Sequence, residues 1–378
     1  MAKIYFDNNA TTPLDPAVRE AMLPYLDERF GNPSSNHRFG EVARAGLDRG
    51  REQVAALLHA DPARLVFTSG GSEANSLAIW SAIMARPERR HLIASAVEHP
   101  SVLAPLAFLR DRFGYAVDLL PVDRQGGLDL AALAATIRPD TALVTLMGAN
   151  NETGVCWPVA EIGALCRERG VLYHCDAVQL AGKEALDLHR LPVDYLSLAA
   201  HKLHGPKGVG ALCAHRTASV TPLLMGSGQE RGLRTGTENV AGIVGFGTAC
   251  ELAAGAGKNL AVMRDRLEAG ICAAIPDARV NGQGLPRLAN TLNVSFKHAS
   301  AAAMIQELDE RGMAVSAHAA CHGGDLDPSH VLRAMALEES YLHGTLRISL
   351  SRFSTMAEVE ALLAVLPGVV AKSRQGFA

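Results

Sequence analysis

The sequence has no apolar run long enough to cross a membrane and no closely paired cysteines. The longest apolar stretch, residues 240–256, is interrupted by glycines and by Glu251, so no membrane span is expected. The first seven residues are too polar to begin a secretion signal. Cysteines are odd in number and scattered, at positions 156, 166, 175, 213, 250, 272 and 321. These features predict free thiols and a cytoplasmic location rather than a disulfide framework.

A large excess of charge of either sign is also absent. The chain has 36 Lys and Arg against 39 Asp and Glu, which gives a net charge of −3. This balance provides no general attraction to nucleic acid or to an anionic membrane, and neither partner is expected. Hydrophobic residues make up 48% of the sequence and charged residues 20%, which is enough apolar material for a large core.

The length of 378 residues predicts two domains, or one large domain with a smaller appendage. A boundary is expected near Gly255–Gly257, where the residues are small and flexible. This boundary gives a large domain of residues 15–256. Residues 1–14 and 257–378 then form a smaller domain.

Short apolar runs alternate with helical patterns through the first two thirds of the chain. Helical periodicity is clear between several of the runs, for example over residues 128–137 and 160–169. This alternation predicts an α/β fold with a mostly parallel sheet flanked by helices. The predicted strands are residues 65–68, 92–96, 143–146, 171–175, 195–198 and 210–213.

The pattern changes after Arg234 and predicts a smaller α+β unit. Two helices are expected over residues 239–254 and 258–274, and a closing helix over residues 356–366. The strands of a second sheet are expected at residues 290–296, 313–316 and 345–350.

Lys202 and Asp176 form the first candidate catalytic pair. Lys202 follows an apolar strand and precedes a Gly/Pro turn, so a buried amine there could hold an aldehyde cofactor. Asp176 ends the preceding strand, at the edge where open α/β sheets place their sites. An acid there can pair with the pyridinium nitrogen of pyridoxal phosphate. Taken singly, a surface lysine and a helix N-cap are the simpler interpretations.

Two further segments follow predicted strands at the same edge of the sheet. Gly71 and Ser72 lie in a Ser/Gly turn that opens a helix, where backbone N–H groups and a hydroxyl can hold a phosphate. His99 could stack on a cofactor ring and transfer protons, although a hydrogen-bonded loop histidine is an equal alternative.

Cys321 is the candidate nucleophile. It lies in a loop of small residues and two glycines, between a predicted strand and a helix signalled by Asp327 as N-cap and Pro328 at the first position. His318 and His322 could lower its pKa or accept its proton. A metal site formed by these three side chains is the alternative, and it needs a further ligand. The other six cysteines occur in or beside apolar runs and are predicted to be inert core residues.

Arg347 alternates with apolar neighbours on a predicted strand. An arginine in this position can bind a substrate carboxylate through two parallel hydrogen bonds. On spacing alone, a charge that keeps an edge strand soluble is equally consistent.

Together these segments resemble the cysteine desulfurases, in the class V aminotransferase group of fold-type I pyridoxal phosphate enzymes. The similarity covers nearly the whole chain, and the nitrogen-fixation type is the most similar. The matching segments are residues 7–12, 31–35, 67–73, 98–100, 150–154, 176–179, 201–202, 205–208, 228–232, 234–240 and 328–332.

The resemblance implies a role for each matching residue. Lys202 would form the Schiff base with pyridoxal phosphate, Asp176 would face the pyridine nitrogen, and Cys321 would carry a persulfide. His99 would stack on the ring and take part in proton transfer. Gln179 and Asn151 would contact the ring hydroxyl. The phosphate would be held by Gly71, Ser72 and His201 of the same chain, together with Thr237 of the partner subunit. Asn32 and Arg347 would bind the substrate carboxylate.

The implied activity is conversion of L-cysteine to alanine with sulfur transfer to Cys321, for iron–sulfur clusters or another acceptor protein. Two segments depart from the family pattern. Ala199-Ala200 replaces the usual Ser-Gly before His201, which removes one phosphate-binding hydroxyl. His318-Ala319-Ala320-Cys321 replaces Gly-Ser-Ala-Cys, and the Ala-Cys-His run is similar to selenocysteine lyases. A selenocysteine lyase, a class V transaminase that does not use Cys321, and an inactive protein of this fold that carries sulfur or metal are the alternatives.

Overall fold

A seven-stranded sheet forms the centre of the protein. The computed structural model describes residues 3–253, 259–317 and 328–375. Across the sheet the strands are ordered β2-β8-β7-β6-β5-β3-β4. Their bounds are β2 Leu65–Thr68, β3 His91–Ser95, β4 Ala116–Leu120, β5 Thr141–Met147, β6 Leu172–Asp176, β7 Tyr195–Ala199 and β8 Gly210–Ala214.

All neighbouring strands of this sheet are parallel except β8, which is antiparallel to β2 and β7. Asp176 at the end of β6 pairs in register with Met147 of β5 and Ser197 of β7. This shared register brings the carboxyl ends of the three strands to one edge of the sheet, where the segments that follow them can form a common site.

Seven helices accompany this sheet in the described part of the chain. In chain order, α1 and α2 precede β2, α3 to α6 alternate with the strands from β2 to β6, and α7 follows β8. Their bounds are α1 Pro16–Leu26, α2 Arg38–Leu57, α3 Gly71–Ala85, α4 Pro100–Phe113, α5 Leu130–Thr136, α6 Val159–Glu168 and α7 Val240–Ala253. Hydrophobic side chains of the inner strands are almost fully buried beneath them, as at Val144, Leu146 and Leu198. The predicted mostly parallel sheet flanked by helices is therefore confirmed.

A smaller unit follows, built on an antiparallel sheet ordered β12-β10-β9 and on a two-stranded parallel pair, β1 with β11. This unit has a hydrophobic core of its own, which combines Ile4 and Phe6 of the N-terminal segment with residues between 263 and 370. The division at residue 256 stays a prediction, and residues 254–258 lie outside the described ranges. The elements are β1 Ile4–Tyr5, α8 Leu260–Ala274, β9 Ala278–Val280, β10 Thr291–Phe296, α9 Ala301–Glu310, β11 Met313–Ala314, α10 His330–Ala334, α11 Glu339–Leu342, β12 Thr345–Ser349 and α12 Met356–Arg374.

Several local features differ from the sequence predictions. Residues 313–316 were predicted as a strand of the second sheet, but β11 pairs with β1 in a separate two-stranded sheet, and neither β1 nor β9 was predicted. Strand β4 was not predicted, because it is an edge strand whose residues are largely exposed and include a charged Asp118. Helix α12 continues past the predicted end at residue 366 to Arg374, with Pro367 inside it. Helix α10 begins at His330 rather than at Pro328, because the Ser329 hydroxyl accepts hydrogen bonds from the backbone N–H groups of residues 331 and 332.

Within the described ranges, no helix combines the length and the apolar character that a bilayer span requires.

Candidate active site

A cavity of about 200 Å³ opens at the carboxyl edge of the central sheet. It brings together nine of the residues that the sequence singled out, although they are spread over more than 270 positions of the chain. These residues are Gly71, Ser72, His99, Asn151, Asp176, Gln179, His201, Lys202 and Arg347.

Asp176 is the buried acid of this cavity. Its side chain is held from two directions: the Asn75 amide donates to Oδ2 over 2.8 Å, and the backbone N–H of Val178 donates to Oδ1 over 3.0 Å. The residue is only 7% exposed. Because both oxygens are oriented by donors, the carboxylate has a fixed direction before any ligand binds.

Asn75 was not identified from the sequence, although it lies on α3, one turn after Ser72. Its amide also donates to the hydroxyl of Ser101 over 2.9 Å. Ser101 in turn contacts Nδ1 of His99 at 2.7 Å through its hydroxyl and at 3.1 Å through its backbone N–H. A continuous hydrogen-bond chain therefore links His99 to Asp176.

His99 occupies the N-cap of α4. The backbone N–H of Ser101 can only donate, so Nδ1 of His99 is the acceptor and the ring proton resides on Nε2. Burial lowers the pKa of His99, and the positive charges of Lys202 and His330 lower it further, while Asp176 opposes the shift. The ring is therefore neutral near pH 7 and carries its proton on Nε2.

Lys202 lies in a turn of 3₁₀ helix, Ala200–Lys202, directly after β7. Its amine donates to the backbone oxygens of Asn9 and Ala10, over 2.6 Å and 2.7 Å. Residues 9 and 10 come from the N-terminal segment, and no pattern in the sequence predicts that they contact the lysine. They hold the amine in the cavity that Asp176 also lines.

The start of α3 and the turn before Lys202 provide the elements of a phosphate cup. At Gly71, a Cβ atom would lie 2.8 Å from Cγ2 of Val178, so only glycine fits without displacing its neighbour. His201 contacts the hydroxyl of Thr11 at 3.1 Å, and burial lowers its pKa to about 4, with Lys202 and Lys207 contributing. His201 is therefore a neutral hydrogen-bonding group near pH 7.

Arg347 is 1% exposed in the middle of β12, so the edge-strand solubility interpretation is wrong. Nη2 donates to Oδ1 of Asp7 over 2.7 Å, and Nη1 donates to the backbone oxygen of Asn151 over 3.1 Å. Its Nε–H is buried with no hydrogen-bond partner in the described part of the chain. A buried guanidinium with an unmet donor matches the requirements of an anionic ligand.

Three predicted site residues are not among those that line the cavity. Asn32 lies in the exposed loop between α1 and α2, where its Oδ1 accepts from the backbone N–H of Ser34. Thr237 is exposed before α7, and its assignment to the site of a partner subunit stays a prediction. Cys321, with its neighbours His318 and His322, lies outside the described residues.

The remaining cysteines do not all behave as the sequence predicted. Cys166, Cys175, Cys213 and Cys250 are buried, and burial raises the pKa of each thiol. Cys156 is partly buried, and burial raises its pKa to about 12. Cys272 is exposed on α8, so its assignment to the core was wrong. It follows Ile271 by one residue, and one step along a helix turns the side chain away from the buried face.

Over residues 3–253, 259–317 and 328–375, no group of three or more His, Cys, Asp or Glu residues is arranged to bind a metal ion. The His318–Cys321–His322 alternative falls outside these ranges.

Glu98 is a buried acid that the sequence analysis did not single out as a titrating group. Its Oε1 accepts from the hydroxyl of Ser95 over 2.7 Å and from the backbone N–H of Met147 over 3.2 Å. Oε2 is buried, and the described residues offer it no partner. Burial raises the pKa of Glu98 to about 8, against the hydrogen bond from Ser95 and with a further contribution from Asp176.

We expect Glu98→Gln to remove a pH dependence of stability. With a folded-state pKa of about 8, above the unfolded value, the folded protein binds the extra proton, so its stability falls as pH rises from about 4.5 to 8. The variant lacks this titrating group, so its unfolding free energy should not fall in this way. As pH rises across this window, the variant should therefore gain a few kcal/mol of stability relative to the original protein. Urea unfolding of the cofactor-free protein at several pH values measures it, with the exposed Glu360→Gln as control. A difference that is constant with pH contradicts the assignment.

Comparison with known proteins gives the cavity a family context. The family model described as aminotransferase class V matches residues 4–362. A cysteine desulfurase of Trichormus azollae is 48% identical, over 99% of this chain and 94% of its own length. The chain belongs to the cysteine desulfurase family.

Solved structures agree with this family assignment. A NifS-like protein superposes with a TM-score of 0.91 at 35% identity, covering 98% of this chain and all of that one. The SspA protein, solved in complex with cysteine, has a TM-score of 0.82 at 35% identity, covering 94% of this chain and 100% of its own. The predicted fold-type I architecture of the desulfurases is thereby confirmed, and class V enzymes of this family use pyridoxal phosphate.

Proposed function

We propose that this desulfurase binds pyridoxal phosphate in the cavity at the carboxyl edge of the central sheet and transfers sulfur from L-cysteine to Cys321. The observation that carries the proposal is that three side chains line one cavity. They are the oriented carboxylate of Asp176, the partly buried amine of Lys202 and the buried guanidinium of Arg347. Cysteine enters as a substrate because the SspA relative binds it.

The residues present fit this cofactor. Gly71 and Ser72 line the cavity at the start of α3, where backbone N–H groups can hold a phosphate, and the neutral His201 lines the same cavity. Ser72 would add a hydroxyl, while Ala199 and Ala200 add none. Gln179 and Asn151 would contact the ring hydroxyl, and Thr237 of the partner subunit would complete the cup in a homodimer.

When bound, pyridoxal phosphate supplies an electron sink for the bonds at Cα of the substrate. Asp176 would hold a proton at the ring nitrogen, because its carboxylate is fixed in direction and accepts charge-assisted hydrogen bonds. His99 would lie over the ring. The Lys202 amine, once released, would carry the proton from Cα.

Arg347 would bind the substrate carboxylate, with Asn32 as a second contact. The Cys321 thiolate would attack the substrate sulfur: a new S–S bond forms at Cys321, the substrate C–S bond breaks, and its electron pair remains with the three-carbon product. That product leaves as alanine after it takes up a proton. The persulfide is then available to an acceptor protein, such as an iron–sulfur scaffold.

Mass spectrometry after brief exposure to cysteine tests the proposal. We expect the peptide that contains Cys321 to gain the mass of one sulfur atom, because transfer to the thiol precedes release to an acceptor. The exposed Cys272 is an internal control and should gain none. Equal labelling of both peptides, or of neither, contradicts the proposal. Parallel assays of sulfide and selenide release from cysteine and selenocysteine distinguish a desulfurase from a selenocysteine lyase.

A further inference from the structure

Lys183 is a second lysine close to the cavity that Lys202 lines. It lies in the connection between β6 and β7, and its ammonium is 2.8 Å from Oε1 of Gln179 and 3.4 Å from Oδ1 of Asn9. The charged groups that face it are the cations Lys202 and Arg347, and the thiol of Cys156 is also near. Among the residues that the structure describes, no carboxylate forms an ion pair with Lys183. A lysine placed among other cations without such a partner is costly in stability, which suggests that it serves the site.

The contacts of Gln179 fix the orientation of its side-chain amide. An ammonium group can only donate, so the end of the amide that faces Lys183 is the oxygen. The backbone oxygen of Asn9 can only accept, so the other end, at 3.0 Å, is the nitrogen. Gln179 is 5% exposed and lines the cofactor cavity. Its second N–H is therefore available to a group in that cavity.

Asn9 links the two lysines. Its backbone oxygen accepts from Lys202 over 2.6 Å, while its side-chain oxygen faces Lys183. The Asn9 amide nitrogen donates to the hydroxyl of Thr291 over 2.8 Å, which keeps this side chain from rotating. A single residue, Asn9, thus connects the ammonium of Lys183 to the amine of Lys202 through hydrogen bonds of its side chain and its backbone.

We propose that Lys183 is a positioning residue that turns the N–H of Gln179 toward the ring hydroxyl of pyridoxal phosphate and places a positive charge behind Lys202. This inference rests on the proposed function. The hydrogen bond and the charge have separate consequences: the first strengthens cofactor binding, and the second favours the neutral, nucleophilic form of the Lys202 amine.

Burial, with a further contribution from the positive charge of Lys202, lowers the pKa of Lys183 to about 7, so the two amines titrate as an interacting pair. Removal of either charge makes protonation of the other amine easier. His99, His201 and Asp176 also surround Lys202. They stay unchanged in variants at position 183, so they contribute equally to each comparison.

Four proteins separate the two effects. Lys183→Arg keeps both the charge and the donor, Lys183→Gln keeps the donor alone, and Lys183→Met removes both. The fourth protein is the control Lys372→Met, which removes a lysine that is 70% exposed on α12 and pairs with Glu307.

The test uses cofactor-free protein, to which pyridoxal phosphate is added and the adduct at Lys202 is trapped with borohydride over a range of pH. For the Met and Gln variants the midpoint of trapping should rise by about one pH unit, because the charge is lost. The Arg variant should have a midpoint equal to or below that of the original protein. The dissociation constant of pyridoxal phosphate should weaken about tenfold in the Met variant alone, because only this variant leaves the Gln179 amide without its donor.

Equal midpoints in all variants, or equal cofactor affinity for Met and Gln, would overturn the assignment of Lys183. If Lys183→Met does not fold, the midpoint of Lys183→Gln still tests the effect of charge. Failure of the original protein to be trapped at Lys202 would instead refute the proposed function, so the two failures are distinguishable.

Discussion

Asp176→Asn is expected to lower kcat/KM for cysteine by about 10³-fold. An amide cannot hold a proton on the ring nitrogen as a carboxylate does, so the cofactor loses the positive charge that makes it an electron sink. The loss should be mainly in kcat, because this charge matters most in the transition state. Steady-state kinetics, with the visible absorbance of bound cofactor as a measure of occupancy, provide the test.

The hydrogen bonds of Asp176 add a smaller structural effect to this prediction. Its two oxygens accept from Asn75 and from the backbone of Val178, so an amide nitrogen at either place opposes a donor. We therefore expect Asp176→Asn to reduce the unfolding free energy by about 1–3 kcal/mol.

Two further variants distinguish charge from orientation. Asn75→Ala keeps the carboxylate but removes one of the donors that orient it, and it should lower kcat/KM less than Asp176→Asn. Asp118→Asn makes the same chemical change on the edge strand β4, at a side chain that is 51% exposed, and should leave kcat/KM unchanged. If Asp176→Asn retains more than a tenth of the original kcat/KM, the assignment of Asp176 is wrong.

The sequence predicted the chemical groups of the cavity better than their surroundings. Asp176 ends one apolar strand and Lys202 follows the next, and the carboxyl ends of parallel strands meet at one edge. Local sequence patterns were therefore sufficient to predict that the two side chains lie at the same edge. Their functional roles came from the resemblance to a family, because spacing alone left a surface lysine and a helix cap as alternatives.

The supporting residues could not be predicted, because they depend on contacts that are distant in sequence. Lys202 is held by carbonyl groups about 190 residues earlier, and the ion pair of Arg347 with Asp7 spans 340 positions. No periodicity or local motif encodes such a contact. Cys272 shows the same limit on a smaller scale, since an apolar sequence neighbourhood does not tell which side of a helix faces the core.

Arg347→Leu should show that binding and stability are both supported by one guanidinium. The substitution removes the Arg347 donor to the carboxylate of Asp7 and one of the two donors to the backbone oxygen of Asn151, which also accepts from the Asn9 amide. We expect a loss of about 3–5 kcal/mol in unfolding free energy, the cost of breaking a buried ion pair from one side. We also expect KM for cysteine to rise about 100-fold, because the variant lacks the cation that is proposed to bind the substrate carboxylate.

A double variant can separate these two losses. Asp7→Asn with Arg347→Leu removes the unpaired carboxylate, so most of the lost stability should return, while KM should stay raised because no cation has been restored. Arg352→Lys is a matched control, since Arg352 also forms a partly buried pair, with Asp15, but does not line the cofactor cavity. Denaturant unfolding and steady-state kinetics measure the two quantities independently. If KM returns together with stability in the double variant, Arg347 supports only the fold, because a group that binds the substrate carboxylate cannot be replaced by removing the acid on its other side.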